Sequence, residues 1–292
     1  MSRPVRLGIS GAGRVFERLY LPAIRSAPGL HLAAVADPVA GRCSLAGPGV
    51  ACFASLAELL DGAAVDAVAI LSPPASHVAD ASLVLERGLP VLVEKPLCAS
   101  IAETVMLRAR GAETWLTPAL SRRYWPTYQR IAAARPIRDL KVAIAVDPAG
   151  WGAHTGPADI AEDLFPHVAD LARWLTSAEI STVSGRRGTG GVEAHLAMAS
   201  GARVSARLHQ RAGYQESARA DGRSRHVGPP PAADSLVRRV FGRDDPPVQA
   251  IGAMLRDWLE AMEGQPPPRL PRFEDGVATV RAMEQLRAAL AS

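Results

Sequence analysis

Val5-Arg6-Leu7-Gly8-Ile9-Ser10-Gly11-Ala12-Gly13 begins as an apolar run and stops on two glycines one residue apart. The run has the length and composition of a short buried strand. Arg14 to Ser26 then places apolar residues at Val15, Leu19, Leu21 and Ile24, a helical spacing interrupted by Pro22. Strand, glycine turn and helix in that order make the phosphate-binding start of a Rossmann unit. Gly11 permits the tight turn and Gly13 lets backbone N–H groups approach a pyrophosphate. The helix opened by Arg14 and Val15 supplies partial positive charge at its N-terminus. The third glycine of the fingerprint would stand at position 16, where this chain has Phe16. A large ring must then fit where helix and strand pack closely. A tight strand-to-helix turn with no ligand is the other reading of the same glycines.

The next strands strengthen the dinucleotide reading. His31 to Ala36 is apolar and ends in Asp37, where the hydroxyls of an adenosine ribose would lie. A carboxylate there repels a 2′-phosphate and favours NAD over NADP, while Arg42 close downstream blurs the preference. Ala51-Cys52-Phe53 is a third strand, and Ser55 with Glu58 forms a capping box for the helix after it. Ala67 to Leu71 is a wholly apolar fourth strand ending in Ser72-Pro73-Pro74, and His77 falls in the first turn of the next helix. A histidine there reads equally well as a cap.

A fifth strand, Val91-Leu92-Val93, ends abruptly in Glu94-Lys95-Pro96. Lys95 and Lys141 are the only lysines among 33 basic residues. Where arginine is so strongly favoured, a retained lysine points to a need for a compact ammonium. Strands alternating with helices imply a parallel sheet, whose ligands bind at the carboxyl ends of the strands. Gly11, Asp37, Ser72-Pro73 and Glu94-Lys95 all stand at such ends.

Composition bounds the rest. At 292 residues, 48% hydrophobic and 21% charged, the chain suits two soluble domains. The formal net charge of +4 is spread over scattered arginines with few aromatics, so nucleic-acid binding is a poor reading. Three cysteines at irregular spacing argue for a reduced, cytoplasmic protein without a disulfide framework or a zinc site. No apolar run is long enough for a membrane span, and the N-terminus enters a strand without a signal sequence.

Downstream, Trp115 to Leu120 reads as another strand, ending in the cluster Ser121-Arg122-Arg123-Tyr124-Trp125-Pro126. Arg123, Tyr124 and Trp125 suit a substrate wall or an interdomain packing corner. Lys141 to Val146 opens a second domain, followed by a helix over Asp159 to Thr176. In that helix Asp163, His167 and Asp170 share a face beside an apolar stripe. A carboxylate one turn before an imidazole can orient it and stabilise its charged form, which suits a proton donor or acceptor. Such a pair can equally be structural, and Pro166 is expected to interrupt or kink the helix. Ser181 to Val227 alternates as an antiparallel sheet polar on one face, Pro229-Pro230-Pro231 ends it, and two amphipathic helices close the chain.

These motifs together resemble the Gfo/Idh/MocA oxidoreductases over nearly the whole chain. The resemblance rests on Gly11-Ala12-Gly13, Asp37, Ser72-Pro73-Pro74 with His77, Glu94-Lys95-Pro96, Arg123-Tyr124-x-Pro126 and Asp163-x3-His167-x2-Asp170. It implies an α/β chain: a Rossmann parallel sheet over 1–120, then an α+β domain over 121–292 with an open, mostly antiparallel sheet. The second domain would bind substrate and mediate homo-oligomers, with the C-terminal helices packing back on the first. In similar proteins the lysine matching Lys95 lies near nicotinamide and substrate, and its bond to the proline is often cis. The residues matching Asp163 and His167 bind substrate, the histidine commonly as acid or base. The implied activity is NAD(P)-dependent dehydrogenation or reduction at a hydroxyl or carbonyl carbon of a sugar- or cyclitol-like molecule. Imine or cyclic-ketone reduction, or dinucleotide binding without turnover, are the alternatives. Phe16, Ser121, Ala158-Asp159 and Phe165-Pro166 depart from the family's usual pattern.

Overall fold

The computed structural model describes residues 3–39, 41–147, 157–227 and 246–292. The chain forms two compact units, Met1–Ser121 with Pro247–Val277 and Arg122–Pro246 with Ala278–Ser292. The proline run at 229–231 lies outside the described residues.

In the first unit, β1 (Val5–Ser10), β2 (Leu30–Ala36), β3 (Ala51–Phe53), β4 (Ala67–Ile70), β5 (Val91–Val93) and β6 (Leu116–Pro118) form one sheet. Their order is β3-β2-β1-β4-β5-β6 and every pairing is parallel. A parallel sheet covered on both faces calls for continuous apolar strands, and β4 and β5 are buried at every residue. The chain runs outward from β1 to β3, then crosses back to β4. The reversal puts the crevice of a doubly wound sheet between the ends of β1 and β4.

The predicted caps at Ser55 and Ser100 hold, while the first helix passes through a π-helical turn and the helix after β4 starts at His77, two residues after the expected Ala75. A π-helical turn, Phe16–Tyr20, runs into α1 (Leu21–Arg25). Pro22 falls in the first turn of α1, where a missing N–H costs little. Ser55 caps α2 (Leu56–Gly62), accepting from the Glu58 N–H at 3.2 Å. A 3-10 turn leads into α3 (His77–Glu86), and Ser100 with Glu103 forms a full capping box on α4 (Ile101–Arg108). A strand boundary differs from expectation as well. Trp115 is the last residue of a short helix, α5 (Ala112–Trp115), and strand pairing begins at Leu116 opposite Val91.

The second unit carries β7 (Asp139–Val146), β8 (Ile180–Gly188), β9 (Gly191–Met198), β10 (Arg203–Gln210), β11 (Gln215–Ala220) and β12 (Arg223–His226). The order is β12-β11-β7-β10-β9-β8, antiparallel except where β7 meets β10. Alternation divides the faces: Val192, Ala194, Leu196, Val204, Ala206 and Leu208 are buried, while Glu193, Ser205 and Arg207 lie opposite. After α6 (Pro126–Ala132) comes α7 (Pro157–Thr176), which packs on this sheet. The expected break at Pro166 does not occur, and α7 runs through it. Pro166 gives up one backbone hydrogen bond, a cost of about 3 kcal/mol. Burial of Ile160, Leu164, Val168, Leu171 and Leu175, each contributing about 1.5–3 kcal/mol, outweighs it. Two long helices, α8 (Pro246–Met262) and α9 (Phe273–Ala291), close the chain.

Candidate active site

Gly11 has φ +95°, and a Cβ there would lie 2.6 Å from the Ser72 backbone nitrogen. Only glycine fits a turn pressed this closely on the end of β4. At Gly13, by contrast, a Cβ would meet nothing within 4 Å, so the turn leaves open space above its backbone. Arg14 is exposed and Val15 half-buried at the head of the helix that follows, where first-turn N–H groups lack intrahelical acceptors. Asp37 is nearly buried, its Oδ2 accepting from the Ala12 N–H and its Oδ1 from the Val39 N–H, both at 2.8 Å. Each oxygen keeps a further lone pair for a hydroxyl donor. Arg42 Nη1 stands 3.7 Å from Asp37 Oδ1. An open glycine cradle beside a fixed carboxylate fits the pyrophosphate and ribose of NAD.

Phe16 does not intrude on that cradle. Its ring is fully buried, and it opens the π-helical turn. The wider turn ends on Tyr20, also fully buried, whose hydroxyl donates to Glu94 Oε1 at 2.8 Å. Burial, then the neighbouring Glu94 carboxylate, holds the Tyr20 proton well beyond the usual phenol range. Glu94 Oε2 in turn accepts from the Lys95 N–H at 2.9 Å. Lys95 is half-buried at the end of β5, and its peptide bond to Pro96 is cis.

His77, expected in the cofactor set, is buried with Nδ1 2.8 Å from the Pro96 carbonyl and Nε2 2.9 Å from the Ser72 carbonyl. Its ring ties the ends of β4 and β5 together. Pro73 beside it is exposed. Ser10 and Ser72 hydroxyls both donate to Asp80 Oδ2, at 3.0 and 2.8 Å. The strand ends carrying Gly11, Ser72 and Lys95 are therefore linked through side chains of α3. Nothing in the sequence marks Tyr20 as the partner of Glu94, 74 positions away, or Asp80 as the partner of both Ser10 and Ser72.

In the second unit, Asp163 is half-buried, His167 nearly buried and Asp170 fully buried on one face of α7. Arg123 is buried too, its Nε 3.1 and 3.0 Å from the two Asp170 oxygens and its Nη2 2.5 Å from Oδ1. Tyr124 and Trp125 are likewise buried. Arg122, which the sequence marks only as part of the 121–126 cluster, anchors a second group of buried side chains. Its Nη2 donates to the Tyr214 hydroxyl at 2.8 Å and its Nε lies 3.1 Å from Glu216 Oε1. Tyr128 donates to Glu216 Oε1 at 2.6 Å, Tyr214 donates to Oε2, and the guanidinium stacks over Trp125. Burial opposes the Arg122 charge, but Glu216, Tyr214, Tyr128 and Asp163 outweigh it and raise its pKa. Burial, then Glu216, pushes the Tyr128 hydroxyl up as well. One local signal existed: Glu216 occupies the inward parity of β11, with Ala218 and Ala220, where a carboxylate needs partners.

Comparison with known proteins agrees with this architecture. The GFO_IDH_MocA model, an oxidoreductase family with an NAD-binding Rossmann fold, matches residues 5–114. Galactose 1-dehydrogenase of Pseudomonas fluorescens is 37% identical over 203 residues, 62% of this chain and 63% of its own length. YceM of Salmonella typhimurium, an oxidoreductase by name, is 30% identical over 230 residues, 73% of this chain and 71% of its own. The chain spans 58%, 63% and 58% of the length of the first three curated relatives. The structure of scyllo-inositol dehydrogenase from Lactobacillus casei with NAD(H) and scyllo-inositol superposes with a TM-score of 0.78 at 17% identity, covering 99% and 97% of the two chains. With the glycine cradle, the Glu94-Lys95-Pro96 strand end and the Asp163–His167 helix in place, the chain belongs to the Gfo/Idh/MocA family of oxidoreductases, built on an NAD-binding Rossmann unit.

Proposed function

We propose that this protein is an NAD-dependent dehydrogenase acting on a hydroxyl-bearing carbon of a sugar- or cyclitol-like small molecule. The observation that carries the reading is the edge of the first sheet. Gly11, Ser72 and Lys95 follow the adjacent strands β1, β4 and β5, so the one lysine of this unit shares an edge with the glycine cradle. Relatives named for galactose and scyllo-inositol support the substrate class. When bound, NAD supplies the hydride acceptor at nicotinamide C4. Lys95 stabilises the developing alkoxide with its ammonium. His167 takes up the hydroxyl proton, and Asp163 one turn earlier orients the ring and stabilises its charge. Arg123 holds this helix through Asp170, and Tyr124 and Trp125 are assigned to the substrate wall.

The test is absorbance at 340 nm with NAD and a panel of aldoses, inositols, cyclic ketones and imines. Turnover of an aldose or inositol is the expected result, and turnover confined to imines or cyclic ketones replaces the substrate class. His167→Ala should lower kcat about 10²–10⁴-fold while NAD affinity holds. Equal loss of both removes His167 from the proton role, and a Lys95→Ala variant with unchanged turnover removes Lys95 from stabilising the alkoxide. The same reading places the protein in the cytoplasm, with copies of the chain associating through the second sheet. Light scattering of the purified protein checks that association.

A further inference from the structure

β1 and β4 stay paired as far as Ser10. Its carbonyl accepts the last backbone hydrogen bond between them among the described residues, from the Leu71 N–H at 2.7 Å. The next N–H along the chain, that of Gly11, turns the other way, to the Ala36 carbonyl at 2.8 Å. The glycine turn and the Ser72 segment thus leave the sheet side by side with no ladder between them. They are nonetheless pressed together. A Cβ on Gly11 would lie 2.6 Å from the Ser72 nitrogen and 2.8 Å from its Cα. The Ser72 backbone is the wall on which the cofactor turn rests.

Two side chains of α3 hold that wall. His77 and Asp80 are three residues apart and share a helix face. His77 Nε2 lies 2.9 Å from the Ser72 carbonyl. Asp80 Oδ2 accepts from the Ser72 hydroxyl at 2.8 Å and from the Ser10 hydroxyl at 3.0 Å. Two donors fill the two lone pairs of that oxygen. Asp80 Oδ1 makes no hydrogen bond among the described residues, so the contacts of this carboxylate serve the two serines alone. Ser10 is nearly buried and Asp80 half-buried, which limits competition from water. One oxygen therefore clasps β1 and β4 where their ladder ends.

We infer that Asp80 is a positioning residue for the dinucleotide. Through Ser10 and Ser72 it fixes the turn whose N–H groups meet the pyrophosphate. Hydrogen bonds weaken steeply as their angles close, so a turn that shifts on its wall loses anion affinity before it loses its fold. The inference rests on NAD binding by the first unit and not on the substrate class.

Calorimetric titration of NAD and of ADP-ribose into the full chain tests it without turnover. Asp80→Ala should weaken both ligands roughly tenfold, because both carry the pyrophosphate. Asp80→Asn should restore most of the affinity. An amide oxygen also has two lone pairs, and the NH₂ replaces an oxygen that no described donor uses. Ser10→Ala combined with Ser72→Ala should match Asp80→Ala, and adding Asp80→Ala to that pair should cost nothing more. Asp66→Asn is the stability control, since Asp66 binds Arg6 near the opposite end of β1. It should lower Tm and leave NAD affinity unchanged.

An Asp80→Ala chain with a lower Tm and intact NAD affinity overturns the inference and confines Asp80 to structure. So does an Asp80→Asn chain as weak as Asp80→Ala, which assigns the effect to charge. Should Asp80→Ala not fold, Ser10→Ala alone carries the comparison, and unchanged affinity there overturns the inference. A parent chain that binds neither ligand overturns NAD binding itself along with the role of Asp80.

Discussion

Tyr20 reaches from the π-helical turn to Glu94, and Glu94 holds the backbone of Lys95. Tyr20 touches no reacting group and acts as a positioning residue. Tyr20→Phe keeps the buried ring but leaves Glu94 Oε1 without its donor, a loss of about 1–2 kcal/mol in stability. The expected outcome is a lower kcat with NAD affinity retained, since the glycine cradle is untouched. A variant with normal kcat and only a reduced Tm would confine Tyr20 to structure. Gly11→Ala should behave in the opposite sense. Its methyl collides with the β4 end, so NAD binding measured by fluorescence should be lost together with stability. Neither Tyr20 nor its partner was legible as a pair in the chain, because 74 residues separate them and hydrogen bonding leaves no sequence period.

At the scale of elements, α7 is held to the segment before α6 by the Arg123–Asp170 fork. Both groups are buried, so removing one strands a charge at a cost of about 3–5 kcal/mol. Arg123→Ala should therefore lower Tm by roughly 10 °C or more, and the double variant Arg123→Leu with Asp170→Leu should recover much of it. Additive losses in that cycle would show that the two do not act together. The helix itself was plain from its stripe, yet its passage through Pro166 was not. Local chemistry predicts a break there, and only the apolar area buried against β8, β9 and β10 overrides it. Trp115 is a similar case: its β propensity suits a strand, but the register of β6 against β5 starts one residue later.

For the molecule as a whole, acid stability gives a further check. Hydrogen bonds from the Arg6 side chain hold Asp66 down to about 2, against an ordinary value near 3.9. A carboxylate depressed on folding stabilises the native state above about pH 4 and loses that contribution as pH falls toward 2. Its side chain is about a quarter exposed, so water screens part of the effect. Asp66→Asn should flatten the fall of Tm between pH 4 and pH 2 relative to the parent chain, and parallel curves would exclude Asp66 as the source. By itself the amino-acid sequence determined the order of elements, the glycine cradle, the carboxyl-edge position of Lys95 and the Asp163–His167 face, because each follows from short-range periodicity or from rules of strand ends. The tertiary structure alone decided how Phe16 is accommodated, where His77 and Arg123 spend their hydrogen bonds, and that Arg122, Tyr128, Tyr214 and Glu216 form one buried cluster. Those outcomes depend on burial and on partners tens of residues away, which no local pattern encodes.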